Sequence, residues 1–259
     1  MRPRVPLALW VPAGIALGLL VLPLVALIVR APWADLPALA PGIVSPLLLS
    51  LGTASIATVV ALVLGVPLAV VLTRAAHWPA VPRRLLRALV TVPLVLPPVV
   101  GGVALLLLLG RRGLIGQFLP FGIPYTTAAV VIAQVFVSMP FLVLAVDGAL
   151  RGVDRRFEVA AATLGAGRFT VFRRVTLPLI APGVAAGALL CFTRSLGEFG
   201  ATITFAGSLP GVTQTLPVAT YLELQRDPDA AFALSLILMF ASIAVLVSLR
   251  DRWVPGLTA

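Results

Sequence analysis

Arg194 and Glu198 stand four residues apart inside an otherwise apolar run, Arg194-Ser-Leu-Gly197-Glu198-Phe-Gly200-Ala-Thr202-Ile-Thr204-Phe. Charge inside a bilayer costs about 2.5–3.5 kcal/mol per residue on insertion scales, so such residues face protein or a water-filled path. At this spacing one helical face carries both groups, and they neutralise each other. Gly197 and Gly200 allow close helix approach or a break, and Thr202 and Thr204 offer hydroxyls. Two roles are open to Glu198: a gate or ligand on a path through the membrane, or a structural partner of Arg194. An isolated carboxylate repels anions, which favours the structural role if the cargo is anionic.

A second constellation runs from Glu158 to Pro178. Ala160, Ala161, Ala162 and Leu164 favour a helix, and Gly165 and Gly167 can end it in a left-handed cap. Phe169, Phe172 and Val175 then recur at helical spacing among Arg168, Arg173 and Arg174, and Leu177-Pro178 restarts the chain. The expected product is a small, exposed, partly apolar hairpin that fits a groove on another protein. A loop lying on lipid headgroups through its arginines is the competing reading.

Other chemistry is sparse. The one histidine, His77, lies in a polar loop, and the one cysteine, Cys191, lies in an apolar run, so neither a metal cluster nor a disulfide framework is expected. The chain has no lysine at all, and hence no glycine-rich phosphate loop ending in Gly-Lys-Ser or Gly-Lys-Thr. No bound cofactor and no catalytic residue are expected in this chain. Intramembrane proteolysis would need a buried Ser–His pair or two aspartates within spans. Ion-coupled transport would lean on Asp147 and Glu198 alone, and Asp147 sits four residues before Arg151 near a helix end.

The elements that must position these residues follow from composition. Of 259 residues, 60% are hydrophobic and 11% charged, with a mean hydropathy of +1.12; soluble chains carry about 25% charged residues. The solvent is a bilayer. The net charge of +10 comes from arginines that punctuate apolar runs, not from a basic face of the kind that binds nucleic acid. A spanning helix needs about 20 apolar residues, and six segments qualify: 7–29, 46–73, 88–109, 127–149, 181–206 and 230–249. The first stays uncharged from Val5 to Val29, too long for a signal peptide's apolar core of about 7–15 residues, so it is expected to be a retained span. Pro93, Pro97-Pro98 and Gly101-Gly102 predict a third span that is either broken around a cavity or merely kinked. No internal repeat or linker divides residues 1–259, which predicts one transmembrane domain, all-α.

Orientation follows the arginines. With the N-terminus in the cytoplasm, fourteen of nineteen lie inside and four outside (Arg30, Arg111, Arg112 and Arg226), with Arg194 within a span. Both termini and the loop 150–180 are then cytoplasmic.

The motif Glu158-x-Ala160-Ala161, then Gly165, then Val175-x-Leu177-Pro178, resembles the signature loop of ABC importer permeases. One departure bears on Glu158 more than on the loop: the family's glutamate precedes the glycine by six residues, where this chain has Val159. Glu158 precedes it by seven, about 100° around a helix. Leu96-Pro97-Pro98-Val-Val, Leu109-Gly110-Arg111-Arg112-Gly113, Leu196 to Thr204 and Pro210-Gly-Val-Thr213-Gln214-Thr215-Leu-Pro217 are similar to molybdate and tungstate permeases; sulfate permeases share less of this. The resemblance implies the type I importer architecture. It also implies a homodimer around one translocation path, two copies of a cytoplasmic ATPase that bind ATP and magnesium, and an extracytoplasmic oxyanion-binding protein. The site would be a prokaryotic inner or plasma membrane. In that setting the loop docks on the ATPase, and Pro97, Pro98, Arg194, Gly197, Glu198, Gly200, Thr202 and Thr204 are candidates for the path or its gate.

Overall fold

A bilayer core offers no water to backbone amides, so a spanning segment must satisfy them internally as a helix. The computed structural model describes Pro6 and residues 9–253, and its regular elements are helical throughout. Arg2, Arg4, both chain ends and the first two residues of the expected first span lie outside the described residues.

Five helices are long and apolar enough to cross: Trp10–Arg30, Gly42–His77, Thr127–Gly152, Arg168–Leu196 and Pro228–Val245. Their parent elements are α1 (Trp10–Arg30), α2 (Leu36–Arg74), α3 (Ala80–Val95), α4 (Pro98–Leu109) and α5 (Thr127–Gly152). Then come α6 (Arg156–Thr163), α7 (Arg168–Val171), α8 (Leu177–Leu196), α9 (Gly200–Phe205), α10 (Leu216–Glu223) and α11 (Pro228–Trp253).

Two expected spans are not single helices. The segment 88–109 divides at Leu96-Pro97 into α3 and α4, which meet at a bend of 115°. Consecutive prolines remove two backbone donors, and the residue before each is driven out of the helical region. Leu96 accordingly adopts ψ 134°. The twelve residues of α4 rise roughly 18 Å, short of a bilayer core of about 30 Å. The pair is a broken span or a re-entrant loop, which decides against a plain kink. The segment 181–206 likewise ends as a helix at Leu196 and resumes as α9 only at Gly200.

The expected restart at Pro178 is also corrected. Helix continues from α7 through a π-helical turn, Phe172–Thr176, straight into α8. A proline cannot donate to the carbonyl four residues back and its ring crowds that carbonyl. The wider turn just before Pro178 absorbs that conflict without a break.

The core is built around α2, α5 and α8. Ala61, Val66, Ala69 and Leu72 of α2 meet Leu142, Val143 and Val146 of α5 and Ile180 and Cys191 of α8. Lipid tails are as apolar as leucine, so close fit rather than hydrophobicity holds such helices together. Gly183 and Gly187 on α8 supply that fit: a Cβ on either would run into Ala149 or Ala145 of α5. A second cluster joins α4, α5 and α9 through Leu105, Val130, Ala133, Val137 and Phe205. A third joins α2, α10 and α11 through Ile43, Leu216 and Leu234. By contrast α1 packs along α11 and buries none of its residues.

Candidate functional site: an exposed hairpin and two broken helices

The hairpin between α5 and α8 is shaped by Gly165. Its φ is +83°, the left-handed conformation that a residue with a Cβ rarely adopts. Gly165 N–H donates to the Ala162 carbonyl at 3.0 Å, and Ala166 N–H reaches back to Ala161 at 3.1 Å. This paired pattern is the Schellman cap, and it closes α6. Gly167, expected to share the role, has φ −65° and ψ 157° and opens α7 instead. Ala160 accepts a hydrogen bond from the Thr163 hydroxyl at 2.8 Å.

Apolar side chains stand out from this hairpin: Phe157 is 57% exposed, Val159 60%, Leu164 88% and Phe169 74%. Its inner face is tethered. Thr176 in the π turn is buried and its Oγ1 donates to Glu158 Oε1 at 2.6 Å. Glu158 therefore joins α6 to the helix that leads into the membrane, while exposed Val159 occupies the position where the family motif has its acid. Val175 and Leu177 are half-buried, with Leu177 packed against the central core, and Pro178 is exposed. Behind the hairpin lies a cavity of about 370 Å³ walled by Val70, Thr73, His77, Glu158 and Thr176 among others.

The second region is the contact between the two broken helices. Pro97 is the N-cap of α4 and Pro98 its first residue. Across from them, a Cβ on Gly200 would lie 2.9 Å from the Pro98 Cβ and 3.1 Å from the Val99 nitrogen. One on Gly102 would strike the Thr204 hydroxyl and lie 2.8 Å from the Ala201 carbonyl. Glycine at both positions lets α4 and α9 pack backbone to backbone. Thr204 donates to the Gly200 carbonyl at 2.8 Å, and Thr202, fully buried, has no hydrogen-bond partner for its hydroxyl among the described residues.

Glu198 lies in the gap between α8 and α9, 1% exposed. Gly197 is the C-cap of α8. Glu198 Oε1 accepts from Ala201 N–H at 2.9 Å, satisfying an orphan donor of α9. Arg194 Nη1 stands 2.7 Å from Oε2; that oxygen receives no aligned hydrogen bond, so the contact is an ion pair rather than a directed bond. The spacing-based pairing of Arg194 with Glu198 is thus present, and the carboxylate is occupied on both oxygens. Phe199, next in the chain, sets its ring 4.8 Å from that of Tyr221 on α10.

Two polar clusters went unforeseen. Asp147, 5% exposed, accepts from Thr73 Oγ1 at 2.8 Å, Arg87 Nη2 at 3.1 Å and Arg151 Nε at 3.0 Å, tying α2, α3 and α5 together. Its bond to Arg151 was visible as an i, i+4 pair; the other partners are 60 and 74 residues away. Deeper in the bundle, Ser195 donates to Ser138, Ser138 contacts Cys191, and Gln134 donates to Thr53.

The sequence profile of a family described as "Binding-protein-dependent transport system inner membrane component" matches residues 65–255, a span that contains both regions. The chain belongs to that family. Its permease character is therefore set, and with it a multi-span membrane protein of a binding-protein-dependent system. The chain is 50% identical to the molybdenum transport system permease protein ModB of Mycobacterium tuberculosis, with 97% of each chain covered. It is 37% identical to the sulfate transport system permease protein CysT of Salmonella typhimurium, over 81% of this chain and 76% of that one. The fold is that of type I ABC importer permeases. A chain of the inward-facing MetNI methionine ABC transporter superposes with a TM-score of 0.65 at 17% identity, over 81% of this chain and 93% of that one. A chain of a bacterial alginate ABC transporter, solved in complex with its pentasaccharide-bound periplasmic protein, gives 0.62 at 14% identity, over 93% and 92%.

Proposed function

We propose that this chain forms the membrane path of an ABC importer for a tetrahedral oxyanion, molybdate or tungstate, and that a separate ATPase drives it. The observation that carries the coupling is the Gly165-capped hairpin with Phe157, Val159, Leu164 and Phe169 turned outward. Exposed apolar knobs of this kind are what a groove on a soluble partner takes up. The substrate class rests on the 50% identity to a molybdenum permease over nearly the whole chain, against 37% to a sulfate permease.

The geometry supports a mechanical reading. From Arg168 to Leu196 the helix is continuous over 29 residues, roughly 43 Å. One end is bonded to α6 through Thr176 and Glu158, and the other ends at the Arg194–Glu198 pair. A push on α6 by the ATPase travels along this rod to the seam between α4 and α9. Glu198 anchors that seam: it is buried, bonded to Ala201 and paired with Arg194, so it neither attracts nor freely repels a passing anion. Two copies of the chain enclose the path, with both termini and the hairpin in the cytoplasm, where two ATPase subunits bind ATP and magnesium. This chain supplies no catalytic residue and no cofactor ligand. A binding protein delivers the oxyanion from outside.

The test is reconstitution. The permease is co-purified with candidate ATPases and placed in liposomes with its binding protein, and ATP hydrolysis is measured with molybdate, tungstate or sulfate. Stimulation by molybdate or tungstate is expected. Stimulation by sulfate alone would assign the chain to the sulfate branch, and failure of every ATPase to co-purify would overturn the proposal.

A further inference from the structure

Arg83, Arg84 and Arg87 of α3 and Arg151 of α5 line one cavity of about 280 Å³ against Leu72 of α2 and Ala76 in the short turn just after it. Four arginines around one small space need counter-charge. The carboxylate beside them is Asp147, and it is already shared between Arg87 and Arg151. The nearby acids are committed elsewhere: Asp154 faces Arg156 at 3.9 Å, and Glu158 holds Thr176. Arg83 reaches the Ala76 carbonyl at 3.2 Å, and no described acid pairs with Arg83 or Arg84. Their position adds to the excess. Both fall within the first five residues of α3, the positive end of its dipole, where further cations are unfavourable unless an anion compensates them.

What distinguishes this cavity from a surface patch lies further along the same three helices. Leu68 of α2, Leu86, Leu89, Val90 and Pro93 of α3, and Met139 of α5 help to line a second hollow of about 330 Å³, almost wholly apolar. Leu86 and Arg87 are adjacent on α3, so the basic and apolar spaces are neighbours on that helix. Leu85 and Leu89 remain 59% and 63% exposed on the outer face of α3. A basic pocket at a bilayer surface continued by an apolar slot matches a molecule with a phosphate head and a hydrocarbon tail.

The geometry points to a binding site for an anionic phospholipid in the cleft between α2, α3 and α5, its phosphate held by Arg83 and Arg84 and an acyl chain running past Leu86 and Leu89. The site goes beyond the transport reading and does not depend on which oxyanion is carried. A free tetrahedral anion shares the headgroup chemistry, so the test separates the two sources.

The full-length permease in neutral detergent is titrated with phosphatidylglycerol, phosphatidylcholine, inorganic phosphate or molybdate, and binding is read by native mass spectrometry and thermal shift. Wild type is expected to prefer phosphatidylglycerol to phosphatidylcholine, and Arg83→Gln with Arg84→Gln to lose about tenfold in phosphatidylglycerol affinity. A double change at two exposed arginines outside the cleft, Arg173→Gln with Arg174→Gln, keeps it. Should the first double variant fold poorly, Arg84→Gln alone serves, and a smaller loss in the same direction is expected. Equal loss in both double variants, or none in either, would overturn the site. Phosphate or molybdate binding that needs Arg83 and Arg84 and is not displaced by phosphatidylglycerol would overturn the lipid assignment.

Discussion

At Gly165 a built Cβ finds open space on every side, so only the backbone objects to a side chain there. Valine at φ +83° costs roughly 1–2 kcal/mol, because its Cβ crowds the carbonyl in the left-handed region. Gly165→Val should therefore leave the spans intact and misplace the hairpin: normal membrane yield, ATP hydrolysis retained, uptake lost. Asparagine tolerates the conformation, and Gly165→Asn should keep most uptake. Parallel uptake and hydrolysis assays check this, and normal uptake by the valine variant would remove Gly165 from the coupling path. Glu198 poses a different problem. Glutamine can still accept from Ala201, but it strands Arg194 without a counter-charge. Breaking a buried pair costs about 3–5 kcal/mol, and the 29% exposure of the Arg194 side chain puts this pair at the lower end. Glu198→Gln should lower yield and melting temperature, and Arg194→Gln added to it should recover part of the loss. Normal yield with altered ion preference would make Glu198 a gate instead. Residues such as these were legible in the sequence because their meaning is local: a glycine that must turn, two charges four apart.

Between elements, local spacing carried less. The spans α2, α5 and α11 could be read from hydropathy because each is long and uninterrupted. The breaks in the third and fifth segments were signalled by Pro97-Pro98 and by Gly197 and Gly200, yet a hydropathy window averages across a three-residue gap and returns one span. Pro178 misled in the opposite direction, since nothing in its neighbours announces that a π turn will absorb it. The clamp of Asp147 on Thr73 and Arg87 joins three helices at long separation, and no periodicity encodes that. The seam of α4 and α9 offers the sharpest test at this scale. A methyl group at Gly102 meets the Thr204 hydroxyl and also the Ala201 backbone, and overpacking of this kind costs roughly 1–3 kcal/mol. Gly102→Ala should lower the melting temperature in detergent and reduce uptake. Adding Thr204→Ala should relieve only part of the damage, because the Ala201 contact persists. Full recovery in the double variant would show that the backbones do not approach as closely as described.

For the whole molecule, the proposed orientation rests on fourteen arginines against four. Cys191 is fully buried, so introduced cysteines report against a silent background. Leu164→Cys on the hairpin should resist an impermeant maleimide applied from outside, and Phe118→Cys, 80% exposed in the native residue, should react. The reverse pattern would invert the topology. Helix α1 carries a consequence of another sort. It buries none of its residues, so its contribution is a matter of hydropathy rather than of shape. Apolar side chains there should be interchangeable, whereas those of α5, with Gln134, Ser138 and Asp147 all engaged, should not. Exchanging α1 for an unrelated apolar helix of equal length should leave uptake within about twofold of wild type; a collapse of uptake at normal yield would mean that α1 is held to its sequence by something outside this chain.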